Sequence, residues 1–333
     1  MTIKLTDGIK LYVKPSGKVY YETESNKFDN MNNNYNLDVS IILVNYNTTD
    51  LLVQAIKSVY EHSSGFTYEI IVVDNNSKES PEAALKQNFG NKIIFLSLPE
   101  NIGFGRANNE GIKIAAGRNI FLLNTDTYLL NNAIKILSDY IDTHPKVGSC
   151  GGSLYTAELA PTYSYHRIPY GIWSYEISIL TLGLNRYFVK HPFYNTSERA
   201  IKVGNVSGAN MMLRHDVIKE VGAFDPIFFM YCEESELSWR IRKAGYFNIN
   251  VPQAKIVHLE GKSSRIVEKR KLMELDGRKK YYIKTRGKWY FNIANIMLLL
   301  GIQQRIILYN ILGRKNDAKE FTTLKSLIKK AYN

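Results

Sequence analysis

Two largely apolar runs, VSIILV at residues 39–44 and YEIIVV at residues 68–73, enclose a helical pattern at residues 50–61, and together they restrict this chain to few folds. β-Branched residues in succession leave no polar face for water, so such runs read as parallel strands covered by helices on both sides. A strand, a crossover helix and a second strand make a βαβ unit. The pattern continues with KIIFLS at residues 92–97, a helix over residues 105–116 and NIFLL at residues 119–123, which predicts an α/β domain with three or more parallel strands.

Polar residues follow each run abruptly: NYN after the first, DNNS after the second, PENIGFG after the third and NTD after the fourth. In an open parallel sheet these loops gather at the carboxyl edge, where ligands bind. Turn formation accounts for any one of them, whereas four together favour a ligand. Asp126, at the end of NTD, could offer a carboxylate to a magnesium or manganese ion, or else act as a turn acid or cap a helix over residues 131–141.

Composition separates the chain into regions. Residues 9–13 and 18–22 alternate as a small hairpin around KPSG, and residues 26–36 hold six Asn and read as a linker. The net charge of +12 is confined to the end of the chain, since residues 262–333 carry 18 Lys and Arg against 5 Asp and Glu, while residues 1–261 carry 25 against 26. Such a basic extension is drawn to phosphates on lipid or nucleic acid. Its longest stretch without charge, residues 289–304, has 16 residues and is short for a bilayer span. Two cysteines, Cys150 and Cys232, and an opening MTIKLTDGIK with no apolar core lead us to expect a cytoplasmic protein.

A second cluster, FFMYCEESELSWRIRKAGY at residues 228–246, sets an aromatic run before Glu233, Glu234 and Glu236 at the start of a helix closed by Gly245. Helix-dipole complementarity and a Glu236–Arg240 pair would explain the acids structurally. The aromatic run points further: rings flank a sugar, and a partly desolvated carboxylate takes a proton from its hydroxyl.

The ordered motifs VSIILVNYN, IIVVDNNS, ENIGFGRANNEG, LLNTDT, VSGANMMLRHDVIKEVGAFDPIFFMYCEESELSWRIRKAGY and IVHLEG, spanning roughly residues 38 to 265, resemble family 2 glycosyltransferases, particularly the bacterial rhamnosyltransferase-like branch. The resemblance implies a GT-A fold, a mostly parallel sheet flanked by helices at residues 38–261, which composition and patterning set between an accessory hairpin (1–25) with a linker (26–37) and a basic amphipathic helical extension (262–333). It also implies a nucleotide-sugar donor, Mg2+ or Mn2+, and single-displacement transfer with inversion.

Carried over by position, Asp74 binds the nucleotide base, with Asn45, Tyr46 and Asn75 in the same pocket. Gly103 would let backbone approach the donor, and Asn108 follows on the next helix. Asp126 matches the last acid of the Asp-x-Asp motif, with Asn124 in place of the first. His258 would complete the metal site with Asp126. Glu234 occupies the place of the catalytic base, as Glu where the family pattern has Asp, while Glu233 and Glu236 would position the acceptor or hold structure, and Tyr231 would meet the acceptor.

The resemblance therefore implies transfer of a sugar, by branch L-rhamnose from dTDP-rhamnose, to a hydroxyl of a growing cell-surface glycan, and the basic tail leads us to expect a lipid-linked acceptor at the inner membrane face. An anionic membrane surface and a homodimer through the C-terminal helices are the further partners considered, and packing of those helices on the core is the alternative to both. A nucleotide-sugar-binding protein without transfer and a nucleic-acid-binding protein using the tail are the alternatives. Glu234 disfavours the first, and the lack of a zinc or base-stacking motif disfavours the second.

Overall fold

The computed structural model describes residues 35–184, 193–259 and 267–332, together with three short strands ahead of them. Those strands, β1 (Thr2–Lys4), β2 (Ile9–Val13) and β3 (Val19–Thr23), form an antiparallel sheet in that order. The predicted hairpin is thus β2 and β3, and β1 adds to its edge by pairing Thr2 with Tyr12. The turn at residues 14–17 and residues 26–34 of the Asn-rich segment lie outside the described residues. Residues 1–34 and 35–333 separate as two compact units, so the C-terminal extension folds within the larger one.

The larger unit opens with β4 (Leu37–Asn45), α1 (Thr49–His62), β5 (Tyr68–Asp74), α2 (Glu82–Phe89), β6 (Ile93–Ser97), α3 (Phe104–Ile114) and β7 (Gly117–Leu123). Pairing of β4 with β5 and β7, and of β5 with β6, is parallel, which gives the order β7-β4-β5-β6. Alternate residues of β4 serve opposite faces. Ile41 and Leu43 join Leu52 and Ile56 of α1, whereas Ile42 joins Ile71 and Ile112 on the other side. Both faces being covered, the strand has no polar alternation, as its sequence requires.

The chain then runs through β8 (Thr127–Leu129), α4 (Ala133–Thr143), β9 (Val147–Tyr155), β10 (Tyr165–His166), α5 (Glu176–Leu180), β11 (Ile201–Val203), β12 (Asn205–Val206), β13 (Asn210–Arg214), α6 (His215–Val221), α7 (Glu233–Lys243) and β14 (Phe247–His258). Antiparallel β13 joins β7 to β9, and β14 continues the sheet parallel to β9. β8 pairs with β14 in a register that sets Thr127 opposite His258.

Three helices follow, α8 (Val267–Arg286), α9 (Lys288–Ile311) and α10 (Lys315–Tyr332). Their anchor is the buried pair Arg278 of α8 and Glu176 of α5, 2.8 Å apart and 2% and 0% exposed. Tyr282 also donates to Glu176, at 2.9 Å. Removing one partner would strand a buried charge, a loss of about 3–5 kcal/mol. α9 has 24 residues and is long and apolar enough to cross a membrane by length and composition, although its uncharged core looked short in the sequence. Phe291, Ala294, Leu298, Gly301 and Ile302 face protein, while Trp289, Ile293, Ile296, Leu300, Ile307 and Ile311 recur at steps of three, four and seven on an exposed stripe.

Candidate active site

The parallel register aligns Asn45, Asp74 and Ser97 at the carboxyl edge of β4, β5 and β6. Asp74 is 2% exposed and its carboxylate accepts from Asn45 Nδ2 at 2.9 Å and from Ser77 Oγ at 2.6 Å. Asn45 spends its other amide hydrogen on Ser77 and accepts from Thr48. It therefore braces Asp74 from a fully buried position and has no donor left for a nucleotide, which corrects its expected place among the ligand contacts. Tyr46 beside it is exposed. Ser77, the last residue of the DNNS loop, holds the acid from its other side.

Asn75 plays a similar part for the next loop. Its amide donates to Asn101 Oδ1 at 3.0 Å and its carbonyl accepts from the Ile102 backbone at 3.0 Å. Gly103 follows with φ of 89°, and a Cβ there would stand 2.2 Å from the Phe229 carbonyl oxygen. The missing side chain thus makes room for the protein's own backbone. That carbonyl also accepts from Phe104 N, at 3.0 Å, and so ties the start of α3 to the loop before α7. Asn108 is buried and donates to Phe104 O within α3, a second residue that supports the edge from inside.

Asp126 and His258 meet where the β8–β14 register predicts. The carboxylate Oδ1 lies 3.2 Å from the imidazole Nε2, and both side chains are largely buried. Two ligands in adjacent octahedral positions about 2.1 Å from a cation are about 3 Å apart, so this pair fits two neighbouring corners of a magnesium or manganese shell completed by water and phosphate. Among the described residues no group of three or more His, Cys, Asp and Glu side chains converges on one point. Asp126 precedes a strand and caps no helix; the N-cap of α4 is Asn132. Asn124 is fixed through its backbone, its N–H donating to Ala209 O at 3.0 Å and its carbonyl accepting from Thr127.

Residue 208, next to Ala209, connects this edge to the acidic helix: a Cβ added at Gly208 would lie 3.9 Å from the Glu234 Cβ. Two successive non-glycine residues, Tyr231 at φ 71° and Cys232 at φ 68°, turn the chain into α7. Such left-handed conformations are held only where the surroundings impose them, and they cluster at functional sites. Here Gly277 of α8 presses on the turn, where a Cβ would come within 2.5 Å of the Tyr231 carbonyl oxygen. A lone glycine within a helical pattern was the one sequence signal for this contact.

The three acids of α7 face different surroundings. Glu236, expected among the acceptor contacts, is fully buried, with Arg240 Nε at 3.0 Å from each oxygen and Lys284 of α8 at 2.7 Å, so it ties α7 to α8. Glu233 is 4% exposed, and burial, then the charge of Glu234, hold its pKa well above the usual carboxylate range. Glu234 is half-buried and burial raises its pKa as well. It lines a cavity of about 340 Å³ together with Tyr231, Tyr163 and His166. Burial lowers the His166 pKa to about 4, so that ring is neutral at physiological pH.

The described residues thus offer an acid-ended parallel edge, an Asp–His pair and a carboxylate that opens on an aromatic cavity. Residues 40–222, more than half of the 333-residue chain, match the profile of Glycosyl transferase family 2. This chain belongs to that family. The glycosyltransferase is 25% identical over 218 residues to the N-acetylglucosaminyl-diphospho-decaprenol L-rhamnosyltransferase of Mycobacterium tuberculosis, a match that covers 59% of this chain and 67% of the relative. It is 28% identical to the low-salt glycan biosynthesis hexosyltransferase Agl10 of Haloferax volcanii, over 66% of each chain.

Solved structures agree on the fold. GalNAc-T7 with UDP, GalNAc and Mn2+ superposes with a TM-score of 0.56 at 16% identity, over 75% of this chain and about half (51%) of its own. A mannosyltransferase from Pyrobaculum calidifontis, in complex with GDP-Man and Mn2+, gives 0.55 at 14% identity over 90% of this chain and 87% of that one. The architecture is that of GT-A glycosyltransferases.

Proposed function

We propose that this glycosyltransferase moves L-rhamnose from dTDP-rhamnose, with inversion, to a hydroxyl of a lipid-linked cell-surface glycan on the inner face of the membrane. The observation that carries the transfer chemistry is the position of Glu234, half-buried on the wall of an aromatic cavity and linked through residues 208–209 to the edge that bears Asn124 and Asp126. Burial favours its neutral form, so its proton affinity moves towards working pH, where a general base is most effective.

In this reading Asp74 holds the nucleotide base at the sheet edge, and Asn45 and Ser77 fix the direction in which its carboxylate points. Glu234 accepts the acceptor hydroxyl proton as that oxygen attacks the anomeric carbon, and the nucleoside diphosphate leaves from the opposite side. Asp126 and His258 would hold Mg2+ or Mn2+, whose charge would neutralise the leaving diphosphate. The rhamnosyl donor rests on the branch resemblance and on the name of the mycobacterial relative.

Thermal unfolding with a panel of nucleotide sugars and manganese tests this reading. Stabilisation by dTDP-rhamnose, abolished in Asp126→Ala and His258→Ala, is the expected result. Stabilisation by UDP-hexoses alone removes rhamnose, and manganese-dependent stabilisation that survives in both variants removes the metal pair.

A further inference from the structure

The cavity beside Glu234 holds groups for which proton transfer gives no use. Its volume, about 340 Å³, lies at the lower end of the range for ligand pockets, roughly 300–1,000 Å³. Beyond the aromatic side chains, Arg270 and Lys271 of α8 line it, and so do Leu298 of α9 and Leu324 and Ile328 of α10. The two cations share a single acid, Glu274, at 3.2 Å and 2.8 Å, and remain 47% and 36% exposed. Arg278, the third cation on the wall, is already matched by Glu176. Arg270 and Lys271 thus have Glu274 as their shared ion-pair partner, and Glu234 is the other carboxylate on the lining; both cations keep donors for an anion. The apolar residues belong to the cluster that joins α8, α9 and α10.

Rings suited to a sugar, cations suited to a phosphate and aliphatic side chains suited to a hydrocarbon thus line one cavity with the carboxylate that would take the acceptor's proton. We propose that the cavity is the acceptor site, that Arg270 and Lys271 bind a phosphate or diphosphate ester on the acceptor sugar, and that Leu298, Leu324 and Ile328 receive the start of its apolar chain. This assignment rests on the transferase reading for the orientation of the acceptor, and it adds to that reading a subsite built by the C-terminal helices. The family match ends at residue 222, before any of these three helices begins.

Calorimetric titration of the full chain, with no donor present, separates this subsite from turnover. The probes are octyl N-acetylglucosaminide, the octyl N-acetylglucosaminyl diphosphate, and the same sugar diphosphate without the alkyl chain. Wild-type protein should bind the octyl diphosphate at least about tenfold more tightly than the neutral glycoside, and about 1.4 kcal/mol corresponds to that factor. An Arg270→Ala/Lys271→Ala variant, altered at partly exposed positions, should lose the preference yet bind the neutral glycoside as before. Equal affinity of the wild type for the first two probes, or a preference kept by the variant, overturns the phosphate subsite. Equal affinity for the diphosphate with and without its octyl chain overturns the apolar part. Probe binding with no transfer from any nucleotide sugar would instead sink the transferase reading and leave the subsite standing.

Discussion

Glu233 and Glu234 are neighbours in sequence, but one is shut inside the protein and the other opens on a cavity. Glu233 Oε2 is buried and, among the described residues, has no hydrogen-bond partner. Its raised pKa means that the folded protein holds this proton more tightly than the unfolded chain does. The stability it confers is full below the unfolded pKa and is lost as pH rises from there through the folded pKa. Glu233→Gln should therefore raise Tm by about 2 °C at neutral pH. The gain should vanish near pH 4, about where an unfolded glutamate titrates. A lower Tm at neutral pH would contradict this account. In the sequence, Glu234 is set apart from its neighbours only by the family pattern, and nothing there shows that Glu236 is withdrawn by Lys284, from a helix far along the chain.

At the level of elements, long strands and helices were legible because both faces of the sheet had to be apolar and the surface helices had to be amphipathic. β4, β5, β6 and β7 lie within two residues of their predicted bounds. β8, β10, β11 and β12, of two or three residues each, are too short to show a period, and sheet pairing creates them. Candidate residues stood out in the sequence where a polar residue follows an apolar run, as with Asp74 at the end of β5 and Asp126 in the loop after β7. The site was not legible where residues meet through folding alone. Gly103 and Gly277 illustrate the difference: both are small because another segment's carbonyl occupies the space. Gly277→Ala improves helix propensity by about 1 kcal/mol. Its Cβ would nevertheless push the Tyr231 carbonyl and the start of α7 out of place. Transfer should fall by roughly a hundredfold, since a displacement near 1 Å has that effect. Donor affinity and helical circular dichroism should stay unchanged. Undiminished turnover would show that α8 does not set the position of Glu234.

The whole molecule combines a charge-balanced sheet domain with three basic helices that complete the cavity and carry an exposed apolar stripe on α9. We propose that this stripe lies on the membrane, with basic residues of the extension near anionic headgroups; each well-placed cation contributes roughly 1 kcal/mol. Flotation with anionic liposomes at low salt should recover the full chain, and Ile296→Asp with Leu300→Asp should release it. No flotation of the wild type would assign the stripe to another role. The chemistry itself is tested by Glu234→Gln, measured for transfer and for donor affinity in the same preparation. The amide keeps the size of the side chain but cannot accept the proton, so transfer should fall by about 10²–10⁴-fold while donor affinity holds. Transfer near the wild-type rate would contradict the assignment of Glu234 as the base.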